Sequence, residues 1–297
     1  MGAEKSRTKG FIYAIVSSST FGLIPLFSLP VLAAGIQTPT LLSYRYGIGA
    51  ALIALVMLAM RLNFRITFGQ TWRIAILAFF STAGAITLVE GYPYLSSGAA
   101  TTIQFSYPVF TCLIMMTFFH ERLTWRTAIA IVLAIVGVMG LSGLNPLHME
   151  EFSGMGLFWE LLSGLTYAIY LVLVPVLKVD DVESSKLTFY VFLFSVVYLV
   201  VWGLLTTGIQ PIPSASVGLN LVLLALIPTT ISNFTLIAAL RHIGSTPTSI
   251  LGALEPFSAM VVGIFVFQEP FTIVIALSFL CIITSVTLLI LKSQQNS

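Results

Sequence analysis

Phe105-Ser106-Tyr107-Pro108, with Glu121 some way beyond it, and Ala253-Leu254-Glu255-Pro256, with Glu269 at the same spacing beyond it, are two copies of one pattern. Each lies in an apolar stretch, and each glutamate is followed by a large apolar residue and a threonine, Leu123-Thr124 and Phe271-Thr272. Matching positions are about 148 residues apart, so the chain reads as a duplication. The likeness extends outward from the signature. Gly10, Ser17, Thr20 and Phe21 match Gly156, Ser163, Thr166 and Tyr167, and Ser97 matches Ser245.

Composition places both halves in a bilayer. Of 297 residues 58% are hydrophobic and 8% are charged, where a soluble domain has roughly 25% charged. Apolar runs long enough to span hydrocarbon recur along the whole chain. The formal charge of +2 is too small and scattered to indicate nucleic acid. Cys112 and Cys281 fall inside apolar runs without metal-ligand spacing and read as reduced packing residues. The first run follows Lys5, Arg7 and Lys9, but it is too long for a cleaved signal, contains Pro25 and Pro30, and has a counterpart in the other half. We read it as a retained span.

The expected fold is all-α. Ten transmembrane helices are laid out at 10–33, 40–60, 73–91, 98–119, 126–144, 155–177, 187–206, 218–240, 246–267 and 271–291, as two five-helix repeats over 10–144 and 155–291. With the N-terminus inside, Lys5, Arg7, Lys9, Arg61, Arg65, Arg73, Arg122, Arg126, Lys178, Lys186, Arg241 and Lys292 all fall on the cytoplasmic side, and the outer loops hold no basic residue. Both termini are therefore expected in the cytoplasm. Five spans per half also make the second half enter with opposite polarity, so that Glu121 faces inside and Glu269 outside. Inverted repeats give a carrier two conformations of similar energy, which favours alternating access.

The stretch Ala239-Leu240-Arg241-His242-Ile243-Gly244-Ser245, with Leu254-Glu255-Pro256 and Gln268-Glu269, resembles the second repeat of the EamA family in the drug/metabolite transporter superfamily. Tyr94-Leu95-Ser96-Ser97-Gly98-Ala99-Ala100, through Tyr107-Pro108-Val109-Phe110 to Glu121-Arg122-Leu123-Thr124, resembles the first. The resemblance runs from about residue 10 to 291 and implies a five-plus-five inverted arrangement, a central cavity, and transport of small metabolites, commonly export of amino acids or related compounds. It implies no particular substrate. The second copy departs from the first at Gln268-Glu269-Pro270, which lacks the basic residue that follows Glu121.

Pro108 and Pro256 are expected about halfway along their spans as helix kinks, freeing backbone carbonyls beside a binding site. Four ionisable residues lie within spans: Arg45, Glu90, Glu160 and Glu255. Arg45 is expected to pair with Glu90 or Glu160 in the outer half of the membrane, as a structural tie or an outer gate. Glu255, at mid-depth before its proline, is the candidate for carrying a coupling proton or binding an amine. The substrate-binding candidates are Ser17, Thr20, Tyr44, Tyr92, Tyr94, Gln104, Tyr107, Trp159, Tyr167, Asn233 and Glu255, with Tyr170 as a further wall residue. Their hydroxyls and flat rings suit an amphiphilic metabolite or an aromatic amino acid. Trp72, Trp125 and Trp202, near span ends, read as interfacial anchors.

No HExxH, GxxxxGK[ST], GxSxG or Gly-rich dinucleotide turn occurs, and His120, His148 and His242 fall outside any ligand spacing. The reading excludes an enzyme, a catalytic centre, a metal site and a cofactor. It expects a multi-pass plasma-membrane (bacterial inner-membrane) exporter, monomeric or homodimeric, whose partners are lipid, a small-molecule substrate and a coupling proton. The alternative is an uncoupled, channel-like facilitator.

Overall fold

The computed structural model describes residues 2–95, 100, 103–121, 124–141, 153–177, 179, 181–258, 261 and 273–295. Ser97, Arg122, His148, Lys178, Gly263 and Glu269 lie outside these residues, as do the side chains of Lys5 and Lys292. Every regular element among the described residues is helical, as lipid requires of a backbone that must satisfy its own polar groups. The helices are α1 (Gly2–Phe21), α2 (Ile24–Ala33), α3 (Thr38–Ala59), α4 (Phe68–Gly91), α5 (Tyr107–Phe119), α6 (Trp125–Leu141), α7 (Gly154–Val176), α8 (Ser184–Leu205), α9 (Ala215–Ala225), α10 (Ser232–Ile243), α11 (Ser245–Leu251) and α12 (Ile273–Gln295). A wider π turn, Leu226–Ile231, joins α9 to α10.

Among the described residues six units are long and apolar enough to cross a membrane: Arg7–Ala33, Thr38–Ala59, Phe68–Gly91, Gly154–Val176, Ser184–Leu205 and Ala215–Ile243. Tyr107–Phe119, Trp125–Gly140 and Ala276–Ser285 are shorter apolar helices. The chain is a multi-pass membrane protein. Its lipid-facing surface is apolar, with Leu55, Leu58, Phe79, Leu204, Leu205 and Leu280 all exposed.

Helix starts carry their own chemistry. Thr67 and Gln70 form a reciprocal capping box at α4, and the hydroxyls of Ser153 and Ser214 accept from Gly156 N and Val217 N at α7 and α9. Packing follows four main pairs: α1 on α10, α4 on α7, α3 on α8, and α6 on α12. Small residues let these helices approach. A Cβ on Gly10 would crowd His242 and Ile243, and one on Gly156 would crowd Leu95 and Tyr94. Buried hydroxyls then bond across the seams, Ser17 Oγ to Ser232 O at 2.9 Å, Ser163 Oγ to Gly84 O at 2.9 Å and Thr82 Oγ1 to Ser195 Oγ at 2.7 Å. Without a hydrophobic force between helices in lipid, close packing and such bonds hold the bundle.

Three departures from the expected spans matter for the site. The first span is broken at Gly22-Leu23, after which Pro25 opens α2. Pro108 and Pro256 do not bend continuous helices. Chain turns at 105–106 and 252–253 precede them, and Pro108 sits in the first turn of α5, where its missing N–H costs nothing. Finally, Pro228 widens the eighth span into the π turn, and the carbonyls this leaves are capped by Thr229 Oγ1 to Leu224 O and Thr230 Oγ1 to Ala225 O, both 2.7 Å.

Candidate functional site

The two proline signatures meet. Tyr107 begins α5, and Glu255 stands in the short helical stretch 254–258. The Tyr107 hydroxyl donates to Glu255 Oε1 at 3.1 Å, with both side chains buried. The glycines around this bond leave no room for a methyl group: one on Gly252 would overlap the Tyr107 hydroxyl, and one on Gly22 the Glu255 carbonyl. The break in the first span therefore rests against the break beside Glu255.

Aromatic rings wall the bond on the α7 side. Tyr107 meets Tyr167 edge to face at 4.9 Å and Phe105 at 5.5 Å. Tyr167 stacks on Phe21 at 5.8 Å and runs parallel to Tyr170 at 6.3 Å. Polar groups and flat rings thus converge where three helix interruptions gather.

Arg45, on α3, is 2% exposed. Its Nε donates to Thr229 Oγ1 at 2.6 Å, the only hydrogen bond it makes among the described residues. The guanidinium also faces the Tyr46 ring at 5.4 Å. The expected tie to Glu90 or Glu160 is therefore not formed among these residues. The π turn brings a threonine hydroxyl to the guanidinium instead. Glu160 is fully buried on α7 with neither carboxyl oxygen hydrogen-bonded, and its head occupies the place a side chain on Gly91 would take. Glu90 is half-buried at the end of α4. Tyr92 is half-buried just past the end of α4.

The remaining candidates divide by place. Gln104 Nε2 donates to Ser163 Oγ at 3.2 Å beneath the aromatic cluster. Ser17 binds the α10 backbone, and Thr20 and Asn233 return their polar atoms to their own helices. Tyr44 donates to Gln210 O in the loop before α9. Tyr94 is 47% exposed, and Trp159 is half-buried against the neighbouring Phe158 ring. The structure brings together Tyr107, Tyr167 and Glu255, with Gln104 adjacent, and leaves Tyr44, Tyr94 and Trp159 apart from them. Thr229, Gly22 and Gly91 were not foreseen. A proline followed by hydroxyls, Pro228-Thr229-Thr230, was the available signal for the first. The two glycines acquire meaning only from what they touch.

At the end of α10, Arg241 donates to Ser184 Oγ at 3.0 Å, to Val179 O at 2.9 Å and to Val182 O. Thr246 Oγ1 donates to Glu121 Oε2 at 3.0 Å and Ser245 Oγ to Leu171 O at 2.8 Å. No cluster of three or more metal-binding side chains occurs among the described residues.

The profile of the EamA-like transporter family matches residues 8–143 and again 154–291. The chain is 27% identical over 276 residues to the uncharacterized transporter YcxC of Bacillus subtilis (strain 168), covering 84% of this chain and 86% of that one. It is 25% identical over 202 residues to an S-adenosylmethionine uptake transporter of Rickettsia felis, covering 65% of this chain and 62% of the relative. A solved crystal structure superposes over 98% of this chain and 99% of its own with a TM-score of 0.81 at 14% identity, a likeness of fold.

Proposed function

The chain belongs to the EamA-like transporter family, and from that premise we propose that it is a secondary carrier moving small organic metabolites such as amino acids outward across the plasma membrane by alternating access. It is a transporter and not an enzyme. The proposed architecture is ten helices in two inverted five-helix repeats, 10–144 and 155–291, with both termini cytoplasmic. The observation that carries the reading is the Tyr107–Glu255 hydrogen bond. It joins residues 148 apart in sequence, which is the repeat offset itself, so the two would sit on the axis relating the halves.

Other contacts support the same relation. Ser17 to Ser232 O and Ser163 to Gly84 O are images of one another at the repeat offsets. So are the approaches of Gly10 to His242 and Ile243 and of Gly156 to Tyr94 and Leu95. The packing of α1 on α10 likewise mirrors that of α7 on α4. Two successive matches of one family profile agree with it. Broken helices meeting at mid-depth form the usual setting of a carrier's binding site, and the carboxyl of Glu255 is placed to exchange a coupling proton. The name of the Rickettsia felis relative favours uptake as a second reading of direction.

The test is counterflow of labelled amino acids into proteoliposomes, with and without a pH gradient, comparing the parent with Glu255→Gln. Saturable flux that follows the gradient in the parent and loses that dependence in the variant is the expected result. Non-saturating flux would replace the carrier with a channel-like facilitator. Saturable flux indifferent to both manipulations would remove Glu255 from coupling.

A further inference from the structure

Helices α3 and α8 lie antiparallel, and their seam is bonded at both ends. Where α3 begins, Gln210, just past α8, spends all of its polar atoms on the turn before α3 and on its first two turns. Its side-chain carbonyl accepts from Gln37 N at 2.6 Å, and its side-chain amide donates to Gly35 O at 3.2 Å. Its backbone N donates to Thr40 Oγ1 at 3.1 Å, and its backbone O accepts from the Tyr44 hydroxyl at 3.2 Å. Where α8 begins, the Tyr190 hydroxyl donates to Phe64 O, Lys186 Nζ to Arg65 O at 3.2 Å, and Gln70 Nε2 to Asp181 Oδ2 at 2.7 Å. The two ends are images of one another: Tyr44 and Tyr190 are 146 positions apart in sequence, and so are their acceptors, Phe64 and Gln210. Midway, Tyr46 and Phe192, also 146 apart, meet ring to ring at 5.4 Å.

Each of the two helices has 22 residues, about 33 Å of rise, so the two sets of bonds stand a membrane's thickness apart and hold at the same time. Bonds that gate a carrier alternate, one face opening as the other closes. Bonds of a fixed junction persist together. The tie at Arg241 is of the first kind, because its image at the repeat offset is Pro93, which has no donor to give. Resting on the carrier reading above, we propose that the α3–α8 seam is the axle of transport, keeping its bonds at both faces while α1 with α10 and α4 with α7 move around it. Tyr44, Gln210 and Tyr190 are its positioning residues. Most of their partners are backbone groups, which a side-chain rotation cannot release, so these bonds break only if a whole loop moves.

The test uses the full chain in a Cys112→Ser, Cys281→Ser background. Thr40→Cys with Gln210→Cys and Gln70→Cys with Asp181→Cys put a thiol pair at each end of the seam, and Glu121→Cys with Thr246→Cys marks the tie near Arg241. A short bifunctional methanethiosulfonate bridges each pair in detergent, so the first reading does not depend on transport. Adding Arg241→Ala should slow bridging of the Glu121–Thr246 pair about tenfold and leave both seam pairs at the parent rate. A seam pair that slows as much would make that end a gate and overturn the proposal. In proteoliposomes, counterflow of labelled amino acids should stay within about twofold of the parent with both seam ends bridged, and fall at least about tenfold with the Glu121–Thr246 pair bridged. Arrest by either seam bridge would equally overturn it. If a seam pair fails to fold, Tyr44→Phe and Tyr190→Phe each cut one bond and keep the ring. Both should lower the melting midpoint without changing the bridging rate of the Glu121–Thr246 pair, and a changed rate in Tyr190→Phe would count against the axle. Non-saturating flux with seam pairs bridging at the parent rate would remove the carrier and leave the seam rigid, whereas saturable flux arrested by a seam bridge would remove the axle and leave the carrier.

Discussion

Glu160 and Gly91 form one of the tightest contacts among the described residues, because the carboxyl head fills the volume a Cβ on Gly91 would need. At the repeat offsets the corresponding residues are Ala14 and Ala239, both fully buried in one apolar cluster. One copy thus packs two small residues where the other packs a large against a missing side chain. Gly91→Ala should lower stability by about 1–3 kcal/mol through overpacking, and adding Glu160→Ala should recover most of the loss by recreating the alanine pair. Thermal unfolding of the two single variants and the double variant measures this, and additive losses would deny the contact. Tyr107 offers a second test at the same scale. Tyr107→Phe keeps the ring contacts with Tyr167 and Phe105 but removes the sole donor to Glu255 among the described residues. Leaving a buried acceptor unsatisfied costs about 1–3 kcal/mol, so its melting midpoint should fall. Glu255→Gln keeps an acceptor for the hydroxyl and should melt close to the parent.

At the scale of elements, the breaks decide what the helices can do. Pro228 prevents a regular turn, and the extra residue in the π segment rotates Thr229 onto Arg45. Pro228→Ala permits the regular hydrogen bond, which should keep or raise thermal stability while displacing the Thr229 hydroxyl and reducing carrier flux about tenfold. Counterflow together with melting tests it. A fall in both would mean that the turn is a structural need, and no change in flux would detach the Arg45–Thr229 bond from transport. Much of this level was legible in the sequence. Helix starts at Thr67, Ser153 and Ser214 announce themselves by hydroxyl caps, and the matching Tyr107-Pro108 and Glu255-Pro256 signatures picked out two segments that touch. The place of each interruption was not legible, because proline permits a break without saying on which side it opens. Here the chain turns two to four residues ahead of the prolines, at 105–106 and 252–253. The first span's break falls at Gly22, where what demands it is the carbonyl of Glu255 from the far end of the sequence. Which candidate residues gather together was not legible for a similar reason. Tyr44, Tyr94 and Trp159 have the chemistry of a cavity wall, but a helix turns about 100° per residue, and only packing against particular neighbours determines which face is central.

For the whole molecule, one end of the bundle is cross-linked by side-chain hydrogen bonds. Arg241 bonds the loop between α7 and α8, Thr246 bonds Glu121 beyond α5, and Ser245 bonds the backbone of α7. Ser245, Thr246, Thr248 and Ser249 are buried behind these contacts. On the proposed topology this end faces the cytoplasm, and single cysteines replacing Arg61 or Lys186 in a Cys112→Ser, Cys281→Ser background should react with an impermeant maleimide only from that side. One replacing Gln37 should react only from the other, and the reverse pattern would invert the proposed topology. Given that orientation and the proposed carrier mechanism, these ties would close the cytoplasmic side, and an alternating-access cycle would have to break them. Each charge-assisted bond is worth about 1.5–3 kcal/mol at most in this part-buried setting, and each 1.4 kcal/mol is about tenfold in population. Arg241→Ala should therefore shift the resting population toward the inward-open form by at least about tenfold. A cysteine at Ser249 would report this, its labelling from the cytoplasmic side quickening by that factor in Arg241→Ala and slowing again when saturating outside substrate draws the carrier back. Labelling equally slow in both backgrounds would mean that Arg241 braces a loop and carries no part of the gate. Fast labelling unaffected by substrate would mean that the variant has lost the bundle's packing and not merely its closed state.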